Sequence, residues 1–287
     1  MKKIKIGGVP EHFNLPWYLT LRDKAYFSKN INLRWQDFPS GTGSMCKALR
    51  NREIDMAVLL TEGIVRDIAN GNPCKIVQEF VKSPLIWGIH VAANSEYKVV
   101  SDLKGTDAAI SRFGSGSHLM AYVNAENRGW DTKKDLSFEV VKDLNGALEK
   151  LPQGQGDYFM WEKFMTKPYV DNGTFRLVDE CPTPWPCFVI AVHNDVLKEN
   201  EQEIIDILDV INTNTSHFKE IDDIDKMISK RYDIQLEDVK QWLSLTKWSN
   251  EQLSIEELEN IQNTLFDLHL IDKKVNHTEI LYKFGKF

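Results

Sequence analysis

The sequence predicts an α/β protein of two lobes, each a mostly parallel sheet flanked by helices, with a helical C-terminal extension. Three observations predict it. Residues 1–90 run strand, helix, strand, helix, strand, and within one sheet that order means parallel strands covered by helices. A second stretch with the same order follows over residues 108–165. Everything after Val192 reads as helix with Asp, Glu, Lys and Asn on the outer faces, a solvated surface. With 287 residues, 42% of them hydrophobic, the chain can bury the cores of one large domain or two medium ones.

Taken in order, Ile4 and Ile6 alternate with lysines, so residues 2–7 read as a first strand. A loop over 10–16 lies between two prolines, and 17–27 has helical periodicity. Residues 31–38 alternate as a strand, Gly41-Thr42-Gly43-Ser44 opens a helix, and 55–60 is a buried strand leading into a helix at Thr61-Glu62-Gly63. Two more strands occupy 76–80 and 85–93. In the second stretch, 108–111, 138–141 and 157–161 read as strands, and 117–128, 144–151 and the start at 162–165 as helices. After Pro182-Thr183-Pro184-Trp185-Pro186 a return strand covers 188–192, and helices follow at 201–218, 224–231, 236–245 and 255–268. The partition this suggests is a discontinuous lobe I of residues 1–90 and 187–287, with lobe II, 91–186, inserted. Two crossing segments, near 85–95 and 180–190, would form a hinge beside a cleft. An internal echo supports two related lobes: Leu49 to Asp55, a strand, then Thr61-Glu62 in the first, and Leu148 to Asp157, a strand, then Trp161-Glu162 in the second.

Composition removes several function classes. A net charge of −7 without any basic block argues against nucleic-acid binding. No apolar run approaches the length of a membrane span. Cys46, Cys74, Cys181 and Cys187 form no C-x-x-C and have no zinc spacing with histidine, so reduced structural thiols are expected, with a Cys181–Cys187 bridge left open. The remaining histidines lack metal spacing, and neither a Gly-x-Ser-x-Gly elbow nor a Gly-Lys-Ser/Thr loop occurs. No catalytic residue, metal or cofactor is therefore expected. The N-terminus is charged like the start of a signal peptide, but no apolar segment follows. The chain as it stands reads as cytoplasmic, and as periplasmic or membrane-anchored if a leader was removed.

Candidate ligand residues cluster at strand ends. In parallel sheets ligands sit at the carboxyl ends of the strands. Ser111-Arg112-Phe113-Gly114-Ser115-Gly116-Ser117-His118 joins a strand to a helix. Its glycines allow close backbone approach, its helix start offers N–H groups and positive dipole, and its serines add donors. Ser117 could serve as the N-cap. A capped helix start that binds nothing fits these residues equally well. Arg112 suits a carboxylate or sulfonate through its planar fork, or a bridge to Glu62 or Glu162. His118 suits an anion or a cap. His12 and Asn14 could hydrogen-bond a ligand beside Phe13, whereas Trp17 reads as core. Thr42 and Gly43 form a polar receptor or a simple cap. Glu62 and Glu162, at echoed positions with Thr61 and Trp161, fit amine recognition or dipole pairing better than acid–base chemistry.

Three segments carry a resemblance: Leu49 through Asp55-Met56-Ala57; Ser101-Asp102-Leu103-Lys104-Gly105 followed by Gly114-Ser115-Gly116-Ser117-His118; and Leu148 through Gly154-Gln155-Gly156-Asp157. Over roughly residues 1–195 the chain resembles the type II periplasmic binding proteins, in the branch of nitrate/sulfonate/taurine and thiamine-pyrimidine-precursor binding proteins. The resemblance implies a ligand held between lobes by strand-end loops and the lobe II helix start, here Thr42, Gly43, Thr61, Glu62 and Ser115, Gly116, Ser117. It implies a non-catalytic solute-binding protein for a small polar or anionic molecule, sulfonate-, carboxylate- or pyrimidine-like, with a membrane transporter as partner if exported. The alternative it implies is an enzyme of the same fold in thiamine-pyrimidine-like heterocycle metabolism. The cysteine cluster of the pyrimidine synthases is missing here, and so is the leader of the secreted binding proteins.

Overall fold

The computed structural model describes residues 1–285. In chain order the elements are β1 (Lys2–Gly8), α1 (Leu15–Arg22), β2 (Ile31–Asp37), α2 (Thr42–Arg50), β3 (Met56–Leu60), α3 (Thr61–Ala69), β4 (Cys74–Val81), β5 (Ile86–Ala92), β6 (Asp107–Ile110), α4 (Gly116–Asn127), β7 (Ser137–Val140), α5 (Leu144–Lys150), β8 (Tyr158–Glu162), α6 (Lys163–Asp171), β9 (Phe175–Pro182), β10 (Phe188–His193), α7 (Asn194–His217), α8 (Ile224–Tyr232), α9 (Leu236–Leu245), α10 (Ile255–Asp267) and α11 (His277–Ile280). Two compact units result. The first comprises 1–83, 185–232 and 243–287, the second 84–184 and 233–242.

The first unit holds a five-stranded sheet in the order β2-β1-β3-β10-β4. β1 pairs in parallel with β2 and β3, and β10 runs antiparallel to β3 and β4. β3 and β10, apolar except for His193, are buried on both faces along nearly their whole length, as strands covered by helices on each side must be. On β1 the alternation of lysine and isoleucine sends Ile4 and Ile6 into the core, where Trp17 and Ile31 are also fully buried. The exposed hydrogen-bonding edge of β4 is covered by the chain itself. Ser249 N–H donates to Phe80 O (3.1 Å), Glu79 N–H to Glu251 O (2.8 Å) and Tyr282 N–H to Ile76 O (2.9 Å). That cover removes an edge open to pairing with another molecule.

The second unit repeats the topology. Its sheet runs β7-β6-β8-β5-β9, with β6 parallel to β7 and β8, and β5 antiparallel to β8 and β9. The internal echo in the sequence thus marks equivalent strands, β3 and β8, each beside a reversed strand. The core here is built on Ala92, Ala109, Val141, Ala147, Leu151, Phe159 and Phe175.

Some elements differ from the sequence reading. The periodic stretch 17–27 is broken, because α1 ends at Arg22 and Lys24 turns left-handed (φ 54°) before a short 3-10 turn, Ala25–Lys29. α7 begins at Asn194, and a non-helical Asn200 (φ −141°) kinks it, so periodicity detects only the part after the kink. β9 is not anticipated at all. It is an edge strand whose residues are mostly half-buried, so Phe175-Arg-Leu-Val-Asp-Glu lacks a clean apolar face.

Candidate functional site

At the carboxyl end of the first unit's sheet, β1 and β2 finish side by side, with Gly8 in register with Asp37. A Cβ on Gly8 would lie 2.2 Å from Trp35 Cη2 and 3.1 Å from Asn14 Nδ2. Glycine is required there so that the indole can lie across the strand end. Tyr18 packs on Trp35, ring centroids 5.1 Å apart. Both aromatics donate to one oxygen of Asp37: Tyr18 O–H at 2.5 Å and Trp35 Nε1–H at 2.7 Å. Burial, reinforced by the Asp37 carboxylate, pushes the Tyr18 phenol well above its ordinary range, so it stays a donor. The Arg231 guanidinium from the end of α8 lies over the Tyr18 ring, 4.4 Å from its centroid.

The predicted residues of this unit divide into two groups. Asn14 is buried, donates from Nδ2 to Val9 O (2.9 Å) and has no partner on Oδ1. His12, in the 3-10 turn His12–Asn14, is fully buried against Phe13 and Tyr232, and burial lowers its pKa to about 3, so the ring is neutral. Thr42 Oγ1 accepts from Leu60 N–H at 3.2 Å, which ties the start of α2 to the end of β3. Gly43 is the second residue of α2 and half-buried. Thr61 and Glu62 instead hold the returning chain. Thr61 O–H donates to Pro186 O (2.5 Å), Thr61 N–H donates to Cys187 O (3.1 Å), and Trp185 Nε1–H donates to Glu62 Oε2 (2.9 Å). Glu62 Oε1 is buried without a partner, and burial raises this carboxyl's pKa to about 7.

In the second unit the Gly/Ser turn after β6 is a closed hydrogen-bond network. Ser115, not Ser117, is the N-cap of α4, and its Oγ accepts from His118 N–H (3.3 Å). The helix starts one residue earlier than read, at Gly116, and this frees Ser117 to accept from Ser111 N–H at 3.0 Å. The two serine hydroxyls meet at 3.0 Å. His118 Nδ1 accepts from Gly114 N–H (3.0 Å), which leaves the ring proton on Nε2. The left-handed residue is Gly114 (φ 75°), and Gly116 is helical. As the first two residues of the helix, Gly116 and Ser117 present N–H groups that no turn of α4 can satisfy. The His118 ring lies among Phe138, Tyr122 and Phe113 at 4.6, 5.1 and 5.3 Å. Arg112 and Phe113 are exposed beside it.

Trp161 is half-buried and stacks on Phe159 (5.2 Å, 19° between planes), against the core of its unit. Glu162 caps α6, its Oε2 accepting from Met165 N–H at 2.7 Å, and burial raises its pKa to about 7. All four cysteines are buried and none forms a disulfide, so there is no Cys181–Cys187 bridge. Among the described residues no group of acids, histidines and cysteines could hold a metal, and no helix is long and apolar enough to cross a membrane.

A paired topology of this kind, with one reversed strand in each sheet, is shared with solved structures. The Candida albicans CA3427 gene product, described as exhibiting the generic periplasmic binding protein structural fold, is 27% identical, with a TM-score of 0.87 over 96% of this chain and 92% of that one. This chain has the type II periplasmic-binding-protein fold. The Ca3427-like PBP family matches residues 87–181, inside the second unit. The alkanesulfonate-binding protein SsuA from Xanthomonas axonopodis pv. citri, bound to MOPS, shares the binding-protein fold at a TM-score of 0.82, 16% identity, and 98% coverage of both chains. The periplasmic aliphatic sulphonate binding protein SsuA from Escherichia coli does so at 0.76 and 17%, over 100% of this chain and 94% of that one. No curated protein matches the chain by sequence.

Within this binding-protein fold, sequence reasoning missed Tyr18, Trp35, Asp37, Trp185 and Arg231. Trp35 and Asp37 end a recognised strand, and that position alone was signal enough. Arg231 had none, because 213 residues separate it from the Tyr18 ring it covers.

Proposed function

We propose that the protein is a solute-binding protein that closes its two lobes over a small polar or anionic ligand of sulfonate, carboxylate or pyrimidine type. The observation that supports this most is the start of α4. Its hydroxyls are fixed by one another and by the backbone, and its first N–H groups point out of the helix with the positive end of the dipole. Ligand contacts are proposed at Arg112, Ser115, Gly116, Ser117 and His118 in one lobe and at His12, Asn14, Thr42 and Gly43 in the other. Thr61, Glu62, Trp161 and Glu162 are proposed as further ligand-binding residues. Recognition fits better than catalysis. His118 Nδ1 already accepts a backbone N–H and Nε2 holds the ring proton, so the neutral ring offers neither serine a base. A form made with a leader would be periplasmic or membrane-anchored and work with a membrane transporter.

Calorimetric melting with alkanesulfonates, methylphosphonate, short carboxylates and aminopyrimidines tests this reading. A ligand at a hundred times its Kd should stabilise the native chain by about 2.7 kcal/mol, without itself being altered. Ser115→Ala should cost about 1 kcal/mol of stability as a lost cap. It should weaken binding by about 0.5–1.5 kcal/mol for a neutral ligand and about 1.5–3 kcal/mol for a charged one. Arg112→Lys should weaken a planar anion more than a neutral molecule, because the bidentate fork is lost. If no compound stabilises the chain, or both variants bind as the parent does, the reading fails.

A further inference from the structure

Residues 247–253 of the first unit form a strap along the outer edge of β4. Lys82 N–H donates to Lys247 O (2.8 Å), Ser249 N–H to Phe80 O (3.1 Å) and Glu79 N–H to Glu251 O (2.8 Å). Side chains add to the tie: Gln78 Nε2–H donates to Ser249 O (3.3 Å) and Gln252 Nε2–H to Ile76 O (3.2 Å). Trp248 anchors one end on the Phe218 ring, centroids 4.8 Å apart, and Ser254 caps α10 at the other. The strap lies outside the β3–β10 and β10–β4 ladders, so it can lift while the sheet stays paired.

Glu79 lies on β4 beside this strap. It is 1% exposed, and its Oε2 is buried without a hydrogen-bond partner. A buried carboxylate with an unmatched oxygen costs far more than a neutral carboxyl in the same place. The groups that act on it are Lys82 just past the end of β4, Ser249 and Glu251 from the strap, and Glu257 from α10. Lys82 is already paired with Glu251. Glu257 is held in the capping box of α10, its Oε2 accepting from Ser254 Oγ at 2.7 Å. An anion at Glu79 would therefore meet two further acids and one cation that an acid already engages. Burial raises the Glu79 pKa to about 7 with help from Glu257 and Glu251, against the pull of Ser249 and Lys82.

We propose that Glu79 is a proton-dependent latch for the strap, which stays seated while the carboxyl is neutral and lifts more readily once it ionises. Lifting brings water to the carboxylate and separates it from Glu251. The seated form holds the proton more tightly than the lifted form, where a solvated glutamate has its ordinary pKa of 4.5. Raising the pH from 4.5 towards 7 therefore favours lifting, and the effect levels off above about 7, where both forms are ionised. Each lifting bares the hydrogen-bonding edge of β4.

Amide hydrogen exchange of the full chain at pH 5 and pH 7.5, corrected for the intrinsic effect of pH on exchange, tests the latch. The Ser249, Glu79 and Lys82 amides should lose at least about tenfold in protection between the two pH values. The amides of β10, in the same sheet, should stay better protected than these at both. Glu79→Gln keeps the shape and cannot ionise, so the strap's protection should become nearly independent of pH. Should that variant not fold, a pH series on the parent decides: the loss should level off above about pH 7. Strap protection that does not change with pH, a loss that persists in folded Glu79→Gln, a loss that steepens above pH 8, or strap amides exchanging in step with β10 overturns the inference.

Discussion

Glu62→Gln should stabilise the protein at pH 8 by about 3 kcal/mol and leave it nearly unchanged at pH 4.5. Burial raises this carboxyl from 4.5 to about 7 in the folded chain, where one oxygen accepts from the Trp185 indole and the other has no partner. A native pKa above the unfolded one means the folded state holds the proton more tightly. The stabilisation from that proton is complete below pH 4.5 and is lost as pH rises through about 7. Every tenfold difference in proton affinity between folded and unfolded chain is worth about 1.36 kcal/mol, which gives the magnitude. Glutamine accepts from Trp185 through its carbonyl and never ionises, so it escapes the loss. Urea unfolding of parent and variant at the two pH values measures the difference, and the other titrating groups cancel in it. A difference that does not change with pH would mean that Glu62 is solvated in the folded chain.

Gly8→Val should cost about 1–3 kcal/mol of stability. The new Cβ would stand 2.2 Å from the Trp35 ring, so the indole must leave the strand end and give up its 2.7 Å hydrogen bond to Asp37. Thermal melting reads the effect. A variant that melts like the parent would show that Trp35 does not need the space above Gly8.

The fold was legible because its signals are local. Strand alternation at Ile4 and Ile6, the apolar run 56–60 and the Gly/Ser helix start each depend on a few consecutive residues. The echo between Thr61-Glu62 and Trp161-Glu162 survives as matching positions after β3 and β8. What escaped depends on contacts distant in sequence or on shallow patterns. β9 is an edge strand with little apolar contrast, and Arg231 reaches Tyr18 only through folding. Choices within a motif were also hidden. The cap expected at Ser117 falls on Ser115 because the helix starts at Gly116, and the left-handed residue of the turn is Gly114. For Thr61 and Glu62, the sequence indicated their place at a strand end. It did not indicate that the returning Trp185–Cys187 segment would take up Thr61's hydroxyl and N–H and one carboxylate oxygen of Glu62.

The most direct test of a solute-binding role is native mass spectrometry of freshly purified protein, followed by mass analysis of whatever it releases. That role predicts a small polar molecule bound one per chain, unchanged in mass after prolonged incubation and lost from a Ser115→Ala/Arg112→Lys double variant. A bare chain in every preparation, or a bound molecule that the protein converts to another mass, would contradict it.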